Sequence, residues 1–193
     1  MKHQSETLLT TEWLTFSTKI QSFIKRLGIE QHVFECDHVA LRANSTAKAD
    51  EYRNFFEERG TVISENIING RPILIIELDE PLSLGGMIIP CVELPYPSQK
   101  RYPQEGWEHI EIVIPSNAAE CEHFTADVVD IIPNLKNTLK LTDSTNSDIK
   151  IKLSSPRGTH ERLANPTIAL KQKDVCIKLH PHSIKDIIDS ELE

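Results

Sequence analysis

A chain of 193 residues can enclose one sizeable core or two small ones fused together. Its 39% apolar and 26% charged residues are ordinary for a globular protein. A net charge of -8 argues against nucleic acid and against an anionic membrane surface, both of which demand clustered Lys and Arg.

No apolar run is long enough to span a bilayer, and Met1 to Thr11 contains no apolar leader segment. A cytoplasmic protein with reduced thiols is expected. Cys36, Cys91, Cys121 and Cys176 show no CxxC spacing, and Cys36, Cys91 and Cys176 sit in apolar patterns as small hydrophobes.

In chain order, Leu9, Trp13, Phe16, Ile20, Phe23 and Leu27 recur at helical spacing, with Thr10 or Thr11 as cap and Gly28 as stop. Phe34 to Arg42 reads as a strand. Asn44 or Ser45 opens a helix carrying Ala49, Tyr52, Phe55 and Phe56, closed at Gly60. Three strands follow: Thr61 to Ile68, Pro72 to Leu78 after an Asn69-Gly70 turn, and Met87 to Leu94 after Gly85-Gly86.

Beyond the Pro-rich link Pro95 to Pro103 the order starts again. Trp107 to Ile114 is a strand, and Ala118 to Ile132 a helix capped by Ser116 or Asn117. Leu139-Lys140-Leu141, Ile149 to Leu153 and Val175 to Leu179 read as strands. A polar loop from Ser154 to Asn165, holding Pro156-Arg157-Gly158, swells this half. Ser183 caps a last helix through Ile184, Ile187 and Ile188.

Two short stretches occur twice. Asp37-His38-Val39 matches Glu108-His109-Ile110, and Cys91-Val92-Glu93-Leu94 matches Cys176-Ile177-Lys178-Leu179, in the same order. The expected fold is therefore α+β: two duplicated βαβββ modules pairing into a curved mixed sheet around a cavity. Residues 1–30 form an N-terminal helical extension, 31–105 the first module and 106–193 the second, all in one compact domain.

Alternation along a strand puts residues two apart on one face. Val39 and Leu41, like Ile110 and Ile112, face the helices. Cys36, His38, Ala40 and Arg42 share the other face, as do His109 and Glu111, and Cys91 and Glu93. A face mixing His, Arg and Cys suits a lined cavity better than open water. Such groups need partners there, and two imidazoles with a carboxylate suit a divalent cation: iron, manganese, zinc or nickel. His38, Glu93 and His109 are the candidate ligands. His3, His32, His123 and His160 fall in helices or loops, and Glu77 is a weak further candidate.

Two His-opened strand-helix-strand-strand-strand units resemble the vicinal oxygen chelate superfamily, which includes glyoxalase I, methylmalonyl-CoA epimerase and extradiol dioxygenases. More closely, Cys36 to Arg42, Gly106 to Val113 and Ile177-Lys178-Leu179-His180-Pro181-His182-Ser183 resemble the YecM family. The superfamily pattern places ligands on the first and fourth strands of each unit. That implies His38, Glu93 and His109, with the fourth position falling on Lys178, which is not a ligand when protonated.

The resemblance implies a metal-dependent isomerase, epimerase or oxygenase acting on a small anionic substrate, as a monomer or homodimer. Glu111 is then the candidate general base, or else a cross-strand partner of Arg42. Lys178 would steady an enolate-like intermediate. Arg42, Lys178 and His180 are the candidate substrate contacts. The alternatives are a metal-free small-molecule-binding protein and a protein whose histidines only hydrogen-bond inside the core.

Overall fold

The computed structural model describes residues 7–32, 34–68, 70–99, 101–140, 148–156 and 162–191. His3, Asn69, Leu141, Arg157, Gly158 and His160 lie outside the described residues.

A π-helical turn, Leu8–Glu12, runs into α1, Trp13–Leu27. Thr10 and Thr11 lie inside that turn and do not cap the helix. Phe16, Ile20, Phe23 and Leu27 form its buried stripe, and Gly28 ends it in the left-handed region at φ 68. The indole of Trp107 donates to the Leu8 carbonyl at 2.9 Å and that of Trp13 to the Ser83 carbonyl at 3.2 Å. These bonds tie the extension to the sheet.

The first module runs β1 (Glu35–Arg42), α2 (Thr46–Glu57), β2 (Gly60–Ile68), β3 (Arg71–Leu84) and β4 (Met87–Pro95). Ser45 caps α2, its hydroxyl accepting from the Lys48 amide. The second runs β5 (Gly106–Val113), α3 (Cys121–Ile131), a 3-10 turn (Pro133–Leu135), α4 (Lys136–Leu139), β6 (Ile149–Ser154), β7 (Thr167–Gln172) and β8 (Val175–His180). A capping box of Ser183 and Asp186 starts α5, Ile184–Asp189.

Two expectations in the second module change. Leu139 ends the short α4 with its side chain buried, where a strand was expected. A three-residue apolar alternation does not distinguish a strand from a helix end. The missing strand is β7, whose Ile168 and Leu170 alternate inward just beyond Pro166. Helix α3 starts at Cys121. Ser116 does not cap it but donates to Asp127 and accepts from the Ala118 amide.

The eight strands form one sheet in the order β2-β3-β4-β1-β5-β8-β7-β6. Within each module the first and last strands pair in parallel, β1 with β4 and β5 with β8. The modules meet at one antiparallel seam, β1 with β5. His38 stands opposite Cys91 and Ala40 opposite Glu93. In the second module, His109 stands opposite Cys176 and Glu111 opposite Lys178. The same register in both halves is the mark of duplication that the repeated stretches pointed to.

Helices α1 to α3 cover one face of the sheet, where Phe23, Phe56, Phe124, Leu41, Val92, Ile110 and Ile177 build the core. Burial of these side chains contributes roughly 1.5–3 kcal/mol each. The opposite face carries Ala40, Ile73, Ile75, Cys91 and Cys176, with the charged residues of β1 and β5 among them.

At the start of β2, a Cβ on Gly60 would sit 2.1 Å from the carbonyl oxygen of Glu77 on the paired strand. Gly60→Ala is expected to cost about 1–3 kcal/mol. Thermal denaturation should show a fall of about 2–4 °C for each kcal/mol.

Candidate metal centre

The site is built where β1 and β5 cross the seam, and two β-bulges shape it. Cys36 pairs with Ile112 and His38 with Glu111, so Asp37 is an extra residue in β1. Ala40 pairs with His109 and Leu41 with Trp107, so Glu108 is an extra residue in β5. A bulge resets the alternation of its strand. It leaves Cys36 with the core and brings each acid to the same face as the histidine that follows it.

Each histidine is therefore held through Nδ1. His38 Nδ1 meets Asp37 Oδ1 at 3.0 Å, and His109 Nδ1 bonds Glu108 Oε2. Asp37 also accepts from His180 Nε2 at 3.2 Å and from the Ile184 amide at the start of α5. With hydrogens on Nδ1, facing Asp37 and Glu108, neutral rings would present both Nε2 lone pairs to the site. They converge on one oxygen: His109 Nε2 lies 3.0 Å and His38 Nε2 3.3 Å from Glu111 Oε1. His38 Nε2 is buried and makes no hydrogen bond there. Glu93 Oε2 is 3.9 Å from the same Nε2. One donor atom from each of His38, Glu93, His109 and Glu111 lies within 4.8 Å of the others.

Lone pairs facing a carboxylate oxygen repel unless a proton or a cation lies between them. The charge inventory points the same way. Glu93, Glu108 and Glu111 face two fixed cations, Arg42 and Lys178, and Asp37 faces only imidazoles, leaving two negative charges in excess. Either two imidazoliums or one divalent ion balances them, and buried ions left unbalanced cost several kcal/mol each. The donor set thus fits a divalent metal, through imidazole nitrogens whose rings Asp37 and Glu108 hold from behind.

Without a metal, protons balance the charge. Burial works against the charged form of His38, but Asp37 and Glu111 overcome it and raise its pKa well above the usual value. Burial also opposes ionisation of Glu111, yet Lys178 and His38 hold it well below the carboxylate range. Asp37 is held low in the same way by His38 and His180, and Glu108 by His109 and Arg42. Burial pushes the thiols of Cys91 and Cys176 up to about 12, so they remain protonated small hydrophobes.

The structure brings His38, Glu93 and His109 to one place, and adds Glu111 to them. Lys178 reaches in from β8, its Nζ donating to Glu111 Oε1 at 2.6 Å. Arg42 pairs with Glu108 at 3.2 Å and lies 3.9 Å from Glu93, so Glu111 is not its partner. His180 is 1% exposed and supports Asp37, where a substrate contact was expected. Glu77 points elsewhere, to Lys185 of α5. Reasoning from strict alternation missed Asp37 and Glu108, because it places both among the core residues. The signal was an acid directly before the histidine in both copies.

Two βαβββ modules in one mixed sheet, with an acid–histidine cluster across their seam, define a duplicated α+β protein with a candidate metal centre. The YecM protein family matches residues 5–191, and the chain belongs to that family. Protein YecM of Escherichia coli is 40% identical over 176 residues, 91% of this chain and 88% of that one. An uncharacterized protein of Haemophilus influenzae is 39% identical over 184 residues, covering 93% and 91%. A solved structure described as structural genomics protein EC4020 superposes with a TM-score of 0.73 at 36% identity, covering 95% of this chain and 91% of that one.

Because the Asp37 carboxyl is held low in the folded chain, the unfolded state takes up its proton first as pH falls. The contribution of Asp37 is complete above the unfolded value near ~3.9 and fades below it. Thermal melts of metal-free protein should show stability lost as pH drops below about 4. Asp37→Asn should be less stable at neutral pH and lose less on acidification.

Proposed function

We propose that the chain is a divalent-metal-dependent enzyme of vicinal oxygen chelate type, working as an isomerase, epimerase or dioxygenase-like catalyst on a small oxygenated anion. The observation that carries this reading is the convergence of two imidazole Nε2 atoms, one of them without a hydrogen bond, on a buried carboxylate. His38, His109 and Glu93 would hold the metal, with Glu111 within reach of the same point. When bound, the metal supplies Lewis acidity to two neighbouring substrate oxygens.

The rest falls to the chain's own side chains. Glu111 would complete the donor set, and its carboxylate is the base of this proposal. Lys178 and Arg42, both beside the acids of the site, orient the anionic group and meet charge developing on its oxygens. Asp37 and Glu108 fix the two rings and keep their Nε2 lone pairs directed inward. Among the described residues no helix is long and apolar enough to cross a membrane, and the ligand in this reading is a small molecule.

A second reading has one observation in its favour. The Lys178 ammonium already contacts Glu111, and a site neutralised by that cation and by imidazoliums would be a metal-free binding cavity. Metal content decides between them. Untagged protein purified without chelator is expected to carry about one divalent ion per chain by elemental analysis, with His38→Ala and His109→Ala empty. Metal-free wild type that still binds small anions would leave the binding-module reading standing alone.

A further inference from the structure

At the metal centre the duplication breaks its own symmetry at two pairs of equivalent positions. The shared register makes Glu93 the counterpart of Lys178, and Ala40 the counterpart of Glu111. A symmetric site would place two histidines on the seam strands and two carboxylates on β4 and β8. In this chain the β8 position holds an ammonium. The second carboxylate stands instead on β5, directly opposite that ammonium and opposite His38. Where the first module has Glu111's counterpart, it has the small Ala40, which is fully buried and leaves the space to its neighbours.

Resting on the metal reading above, we propose that Glu111 and Lys178 are a relocated-ligand pair. Glu111 supplies from β5 the carboxylate that symmetry would put on β8, and Lys178 aims it while competing with the metal for the same oxygen. The geometry requires the competition. Glu111 Oε1 lies 3.0 Å and 3.3 Å from the two imidazole Nε2 atoms and also accepts from the Lys178 Nζ at 2.6 Å. A cation entering between the rings and this oxygen meets the ammonium at the same place. Like charges a few ångströms apart in a buried site oppose each other strongly. The metal is therefore held more weakly than its four donors alone would hold it, and Lys178 must swing aside as it enters. The 25% exposure of the lysine side chain leaves it a way out toward solvent.

The test is Zn2+ affinity of the full chain, measured by competition with a chromogenic chelator, with the metal-induced rise in melting temperature as a second readout. Lys178→Met removes the competitor and should tighten Zn2+ by about tenfold or more, about 1.4 kcal/mol. Glu111→Ala should weaken it by about tenfold or more. The double variant Glu111→Ala, Lys178→Glu rebuilds the symmetric arrangement and should bind at least as tightly as wild type. Lys178→Gln has the same expected sign and stands in if Lys178→Met does not fold.

A lysine with only a structural role would make both of its neutral variants bind worse, which overturns the proposal. So would a double variant as weak as Glu111→Ala alone. If wild type takes Zn2+ and the neutral lysine variants take it no better, this inference fails and the metal reading survives. If neither wild type nor those variants take Zn2+, both fail.

Discussion

Four carboxylates, three histidines, an arginine and a lysine lie on the central strands of one sheet, most of them out of contact with water. Charges in such a place need partners of opposite sign at bonding distance, or folding is penalised by several kcal/mol for each. That requirement governs the rest of the site. It explains why His38 and His109 each follow an acid in the chain, why Asp37 gathers two imidazoles and a backbone amide, and why Lys178 reaches across to Glu111. It also leaves one position where two imidazole nitrogens and a carboxylate oxygen face one another beside the Lys178 ammonium.

The duplicated architecture makes this cluster possible. Two modules whose first strands pair antiparallel place two equivalent histidines close together, each pointing from its own strand to the common face. Parallel pairing of each first strand with its module's last strand then delivers Glu93 from one side and Lys178 from the other. Hydrocarbon from α1, α2 and α3 holds the sheet from behind and leaves the opposite face to chemistry. Neither module contains a site by itself.

Much of this was legible in the sequence. Oily alternation marked the core faces of β1 and β5. The paired repeats marked the module order, and the equivalent histidines marked the candidate site. What escaped had physical causes. A bulge changes the face of a residue without changing the pattern of letters around it, so Asp37 and Glu108 read as core-side and Cys36 as cavity-side. Strand β7 offers only Ile168 and Leu170 as an inward alternation and so went unassigned, while Leu139 borrowed the look of a strand from one apolar alternation. The pairing of Arg42 with Glu108 in place of Glu111 follows from the bulge as well, since the extra residue brings Glu108 to the guanidinium.

The seam has a consequence during synthesis. The first module leaves the ribosome with β4 able to pair along one side of β1, while the other side of β1 faces nothing until β5 is made. For that interval the nascent chain carries a bare strand edge rich in buried-type residues, with Asp37 lacking the partners that β8 and α5 later bring and His38 lacking Glu111 of β5. An open edge of this kind is a template for any strand that meets it, including the same edge of a neighbouring nascent chain. Prompt docking of the second half is thus what keeps two half-made molecules from joining through β1.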